Sequence, residues 1–288
     1  MDISPGRKLY KDNRNEITED LKKSKINFEI INKIRSGITA NTYLAKYKKD
    51  KSIIKVFKKQ KYKLITNQFQ TNFIKEQLVN KKLFPEVTYL NRKDGILIYK
   101  YFEENNIKLS RSKIIELLGI SLTKLHSIKP NKNTKTFKHQ ISAYNKILKS
   151  NKNIKLIEKT NYLFKKIESY KNQENVFSHN DLNATNILFN GKDLRFIDFE
   201  YSSMNSRFCD ISRIAESFNL KDEEINVLLS SYGIKTNSTV FEIIKDWSLM
   251  NLYLDLIWAY VMNKIQKGSI KDNYISRLEL KLDNNGNK

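Results

Sequence analysis

Three oxygen-bearing side chains stand at informative spacing in this chain. Asp181 and Asn186 are five residues apart in Ser178-His-Asn-Asp-Leu-Asn-Ala-Thr-Asn-Ile-Leu-Phe189, and Asp198 follows in Arg195-Phe-Ile-Asp-Phe-Glu-Tyr201. The apolar runs at 186–189 and 194–197, split by Asn190-Gly191, read as a hairpin with Asn186 and Asp198 at its two ends. This set suits phosphoryl transfer. One carboxylate serves an acceptor hydroxyl, while a second carboxylate and an amide oxygen hold hard Mg²⁺. Two carboxylates that close repel unless a cation lies between them.

The elements needed to position these groups are legible around them. Residues 26–57 alternate like strands, with a turn at Ser36-Gly37, and end in Ile53-Ile-Lys-Val-Phe57. Apolar residues at three-to-four spacing predict a helix over 66–84. Val87-Thr-Tyr-Leu and Ile96-Leu-Ile-Tyr, joined at Asp94-Gly95, predict a hairpin. Beyond residue 102 the pattern turns helical: 110–128 (ended by Pro130), 138–149, 154–170, and most of 210–282. Residues 1–25 read as a polar lead-in or a first helix. The expectation is an α+β chain with a β-rich N-lobe at 1–102 and a mostly helical C-lobe at 103–288.

Composition narrows the function classes. The 288 residues carry 53 Lys and Arg against 31 Asp and Glu, a net charge of +22, yet 44 of the cations are Lys and they are scattered. Base-reading proteins favour Arg and aromatic-lined basic stripes, and neither pattern is present. The excess is read as a solvated surface, with no specific nucleic-acid partner; a non-catalytic basic adaptor for RNA or membrane is the alternative from another class. One cysteine, Cys209, and three histidines exclude a disulfide framework and a Cys/His zinc centre. The absence of a long apolar run predicts no membrane insertion and, with the reduced thiol, a cytoplasmic location.

His179-Asn-Asp-Leu-x-x-x-x-Asn-Ile-Leu together with Ile197-Asp-Phe-Glu-Tyr-Ser-Ser-Met-Asn-Ser-Arg-Phe-Cys-Asp210 resembles the choline/ethanolamine kinases, bacterial members included. Their protein-kinase-like fold is shared with aminoglycoside phosphotransferases. The resemblance runs from about residue 30 to 280 and is most specific over 178–216. It implies a two-lobed kinase that uses ATP and Mg²⁺ to phosphorylate a small molecule, choline first, with ethanolamine or an aminoglycoside as rivals. It implies Asp181 as the catalytic carboxylate and Asn186 and Asp198 as metal ligands. Lys55 would grip the ATP phosphates with Glu76 as its ion-pair partner. Ser36, Gly37, Thr39, Asn41 and Thr42 would cover the phosphates, and Tyr99, Tyr101 and Phe102 would flank adenine. Asp210 would buttress the catalytic loop, with His179 orienting it. Asp181, Glu216, Asp255, Trp258 and Tyr274 would surround the cationic head of the acceptor, aromatic faces being suited to a quaternary ammonium.

The chain departs from protein kinases in ways that bear on substrate. A single Gly37 replaces a glycine-rich loop, Asp-Phe-Glu stands for Asp-Phe-Gly, and no Ala-Pro-Glu element follows. A small acceptor, not a protein, is expected.

Overall fold

The computed structural model describes residues 26–58, 69, 71–105, 109–149, 153–170 and 174–286. The expected lead-in or helix at 1–25 lies outside them. The described chain is α+β and forms two compact units, residues 1–111 with 184–200, and residues 112–183 with 201–288.

The first unit is built on an antiparallel sheet ordered β1-β2-β3-β5-β4, with β1 Phe28–Ser36, β2 Ala40–Tyr47, β3 Asp50–Phe57, β4 Val87–Asn91 and β5 Ile96–Lys100. Period-two alternation sorts its faces. Tyr43, Ala45, Tyr47, Ile54, Val56, Ile96 and Ile98 form one apolar layer, joined by Ile26, Phe28, Ile30 and Tyr89. Ile53, Lys55, Leu97 and Tyr99 therefore point to the other side, where Lys55 pairs opposite both Thr42 and Leu97.

Among the described residues helix α1 covers Asn72–Asn80; of the expected 66–84, Phe69, Thr71 and residues 81–84 are not helical, and 66–68 and 70 lie outside the described residues. Thr71 caps its start by accepting a hydrogen bond from Ile74 N. Its end is set by Lys82 at φ 55° and by Pro85 just beyond, which disfavours helix at Phe84. Phe69 and Phe84 pack from its flanks. Their ring centroids lie 4.7 Å apart, and both rings pack against Phe199. The hairpin of β7 Ile187–Phe189 and β8 Leu194–Phe196 joins this cluster, with Phe196 N donating to Leu83 O at 2.7 Å. Packing thus groups 184–200 with the first unit, although chain order sets it within the helical half.

The second unit gathers α2 Arg111–His126, α3 Phe137–Leu148, α4 Ile154–Ser169, α5 Arg207–Ser217, α6 Asp222–Tyr232, α7 Ser238–Ile265 and α8 Asp272–Gly286. Its core axis is α7, whose fully buried Trp247, Met250, Asn251 and Ile257 pack against α3, α4, α5 and α8. Gly119 lets α2 and α6 touch, because a Cβ there would stand 2.7 Å from Leu228 O and Ser231 Cβ. The sequence did not announce β6 Asn175–Ser178 and β9 Ser203–Ser206, a two-stranded ladder pairing Val176 with Asn205 and Phe177 with Met204. Four-residue strands rich in Ser and Asn carry too little alternation to read. Among the described residues, no helix is long and apolar enough to cross a membrane.

Candidate active site

Among the described residues of the first unit, Lys55 is a buried cation. Its Nζ lies 2.7 Å from Asp198 Oδ1 and 3.1 Å from Glu200 Oε2. Burial alone would strip its proton, but Asp198 and Glu200 more than offset that and hold the ammonium charged, its pKa above the ordinary lysine value. Thr39 Oγ1 reaches Glu200 Oε1 at 3.5 Å, tying the turn between β1 and β2 to the same carboxylate.

The ion pair expected of Glu76 is thus made by Glu200. The reason is helical register. Ile74 and Leu78 are the buried positions of α1, and Glu76, between them, falls on the exposed face. Glu200 sits on the 3₁₀ turn Phe199–Tyr201 and ends the Asp198-Phe-Glu200 string that departs from the Asp-Phe-Gly of protein kinases.

The turn Ser36–Thr42 is held by its own groups and by Lys58. Ser36 Oγ donates to Asn41 Oδ1 at 2.9 Å, Gly37 N donates to Ala40 O, and Lys58 Nζ donates to Gly37 O at 2.6 Å. A Cβ at Gly37 would sit 2.9 Å from Ala40 O, so this one glycine is required by the turn. Further along, Tyr99 is buried against Phe84, Lys51 Nζ lies over the Tyr101 ring at 3.9 Å, and Arg195 over Phe102 at 5.2 Å. The Tyr101 N–H donates to Lys51 O, which leaves its carbonyl, not its amide, to present to a ligand.

Asn186 and Asp198 flank the β7–β8 hairpin. Ile187 pairs with Phe196, and Ile197 N donates to Asn186 O at 2.9 Å, so the two residues next to the paired ends are brought side by side. Asp198 adopts φ 68°, a left-handed conformation that turns the chain sharply after β8. One carboxylate and one amide oxygen are hard donors of the kind Mg²⁺ takes when phosphates complete its shell, so the pair fits that ion.

In the second unit, the loop after β6 is anchored by Asp210, fully buried on α5. Its Oδ2 accepts from His179 N and its Oδ1 from Asn180 N, both at 2.8 Å. His126 of α2 approaches the same Oδ2 at 3.1 Å through Nε2, and its Nδ1 lies 2.8 Å from Tyr232 Oη. Asn180, at φ 65°, donates to Tyr201 O and Ser203 Oγ and accepts from Asn205 Nδ2 at 2.8 Å. His179 is fully buried, and its Nδ1 accepts from Asp181 N at 3.3 Å. A loop fixed at four points presents Asp181, whose Oδ1 accepts from Asn183 Nδ2 at 3.1 Å.

Asp181 opens onto a cavity of about 220 Å³ within this unit. Asp255, Trp258 and Tyr274, all singled out from sequence, line it with Asp181. Glu216 does not; it is exposed near the end of α5, outside the lining. Residues the sequence reading missed complete the wall: Phe137, Gln140 and Tyr144 from one face of α3, Tyr201, and Arg213. The spacing 137, 140, 144 was a visible stripe, but nothing local distinguishes a stripe facing a cavity from one facing a core. Arg213 had a fainter signal, one of only nine arginines in a chain of 44 lysines.

Asp255 does not face the cavity as a bare carboxylate. Arg213 binds it through Nη1 at 2.8 Å and Nη2 at 2.6 Å, and Nη2 also donates to Asn251 O. Burial opposes the guanidinium's charge, but Asp255 overcomes it and raises the pKa further. The Trp258 indole donates to Tyr201 Oη at 2.8 Å, fixing both rings. Burial pushes the Tyr144 phenol well above its usual pKa, so it stays neutral.

The family description "Choline/ethanolamine kinase" matches residues 31–220. Protein LicA of Haemophilus influenzae is 27% identical over 190 residues, covering 60% of this chain and 68% of that protein; a second LicA sequence of that species is covered over 62% of its length. The crystal structure of the choline kinase LicA from Streptococcus pneumoniae superposes with a TM-score of 0.72 at 20% identity, covering 93% of this chain and 96% of that one. ADP-bound aminoglycoside phosphotransferase APH(2'')-Ib shares the fold at a TM-score of 0.61 and 20% identity, over 95% and 98% of the two chains. The α+β, protein-kinase-like architecture is therefore common to both groups, and the sequence match decides between them: this chain belongs to the choline/ethanolamine kinase family of alcohol phosphotransferases.

Proposed function

We propose that the protein transfers the γ-phosphoryl group of ATP to the hydroxyl of choline, giving phosphocholine. The observation that supports this most is the make-up of the Asp181 cavity, a carboxylate beside Trp258, Tyr274, Tyr201, Tyr144 and Phe137. The cavity of about 220 Å³ lies below the roughly 300–1,000 Å³ typical of pockets for drug-sized ligands, which favours a small acceptor over an aminoglycoside. Aromatic faces attract a quaternary ammonium by about 0.5–2 kcal/mol each.

Asp181 then orients the hydroxyl and takes its proton as the hydroxyl oxygen bonds to the γ-phosphorus and the bond from that phosphorus to the β,γ-bridging oxygen breaks, releasing ADP. Lys55, kept charged and rigid by Asp198 and Glu200, steadies the ATP phosphates. Asn186 and Asp198 would hold Mg²⁺, which when bound neutralises charge on the phosphates. Asp210 keeps the loop in register, so catalysis is mainly positioning and electrostatics. ATP as donor and a small soluble acceptor fit a cytoplasmic reaction with no nucleic-acid partner, and the lysine surface is solvating.

The test is Mg²⁺-dependent ADP release with choline, ethanolamine and kanamycin offered separately, with Asp181→Ala as control. Choline-stimulated release lost in the variant is expected. Turnover of kanamycin alone would overturn the choline assignment, and salt-sensitive polyanion binding without ATP consumption would favour the basic adaptor.

A further inference from the structure

We propose that Arg213 is a specificity-determining residue: by occupying Asp255 inside the acceptor cavity it makes the site discriminate against primary ammonium groups and in favour of alkylated ones. The inference rests on the amino-alcohol kinase reading and concerns how the same cavity sorts its substrates.

Five oxygen-bearing side chains of the cavity wall receive a hydrogen bond from the protein, Asp255 at both of its oxygens. Both Asp255 oxygens receive Arg213 N–H groups. Tyr201 Oη receives the Trp258 indole, and Tyr144 Oη receives Gln140 Nε2, each at 2.8 Å. Asn180 Oδ1 receives Asn205 Nδ2, and Asp181 Oδ1 receives Asn183 Nδ2. A primary ammonium brings three N–H donors that are satisfied in water and need acceptors when desolvated. At Asp255 it must share a carboxylate whose two oxygens Arg213 already engages. A trimethylammonium brings none, and it loses nothing against Phe137, Trp258 and Tyr274.

The charge balance agrees. Asp181 and Asp255 against Arg213 leave one net negative charge on the lining, enough to favour a monocation without offering Asp255 as a dedicated ion-pair partner. The bidentate fork is what silences Asp255, because it engages both oxygens at once; a lysine would leave one open.

The experiment measures kcat/KM across ethanolamine, its N-methyl and N,N-dimethyl derivatives, and choline, in the wild-type protein, Arg213→Gln, and the double variant Arg213→Met/Asp255→Leu. Wild type is expected to improve with each methyl group. Arg213→Gln frees a carboxylate and is expected to lower the choline-to-ethanolamine ratio by about tenfold, chiefly by raising ethanolamine turnover. The double variant replaces the pair with apolar groups of similar volume, a change buried ion pairs often tolerate, and is expected to keep or sharpen the preference for choline. A ratio in Arg213→Gln within about twofold of wild type overturns the proposal. If that variant does not fold, as judged by thermal melting, the double variant decides: a preference collapsing toward ethanolamine overturns it, and a retained preference supports it. Failure of the underlying reading looks different, since then no member of the series stimulates ADP release in wild type, and the proposal falls with it.

Discussion

His126 and Asp210, 84 residues apart in sequence, meet at 3.1 Å beneath the loop that carries Asp181. Asp210 Oδ2 is shared between His126 Nε2 and the His179 amide, so α2 and α5 clamp the loop through one buried carboxylate. His126→Leu leaves that carboxylate one partner short and is expected to cost about 1–3 kcal/mol in urea unfolding. The loop loses its fixed register as well, so kcat should fall more than KM for either substrate rises; stability loss with kcat unchanged would confine His126 to packing.

Lys55 and its carboxylates give a second prediction. Glu200→Gln removes one of the two charges that fix the ammonium, and KM for ATP is expected to rise several-fold, by about 1 kcal/mol of binding. Glu76→Ala, on the exposed face of α1, is expected to leave KM for ATP unchanged and stability within about 0.5 kcal/mol. Steady-state kinetics at saturating acceptor distinguish the two positions.

Asp181→Ala is expected to lower kcat by about 10²–10⁴ while ATP binding, measured by calorimetry, stays near wild type. A matching loss of nucleotide affinity would assign Asp181 to the phosphates instead of the acceptor hydroxyl.

Trp258→Ala removes an aromatic wall and the donor that fixes Tyr201. At about 0.5–2 kcal/mol per cation–π contact, KM for choline should rise by about twofold to thirtyfold with KM for ATP little changed. Equal rises in both would mean that the cavity wall had collapsed generally.

The alkaline arm of stability has a fixed sign. The Tyr144 phenol has a pKa raised above 10.0 by burial, so above about pH 10 the unfolded chain gives up this proton while the folded chain keeps it. Lys55, raised above 10.5, acts in the same direction. Stability should be full below about pH 10 and decline as pH rises beyond it. Tyr144→Phe should flatten that decline in melting temperatures recorded from neutral to alkaline pH.

Much of this site was legible because its chemistry lies in short stretches. Asp181, Asn186 and Asp198 fall within 18 residues around a hairpin marked by Asn190-Gly191, and Asn190 Oδ1 indeed accepts from Lys192 N and Asp193 N to close the turn. Lys55 stood out as a cation inside a β-branched run, where a strand buried on both faces admits a charge only if it is paired. Glu76 misled because family spacing fixes a residue's number in the chain but not the face of a helix, and Ile74 and Leu78 took the buried side.

Sequence by itself determined the β-rich and helical halves, most of their elements, and the residue types suited to handling phosphate, because period-two and period-3.6 patterns and turn residues act over a few residues. Tertiary structure alone decided who partners whom. Glu200 on Lys55, His126 on Asp210 and Arg213 on Asp255 join positions 145, 84 and 42 residues apart. No local propensity encodes such pairs. A buried charge takes the partner that packing brings within hydrogen-bond reach, and the burial that makes the pairing obligatory exists only once the core has formed.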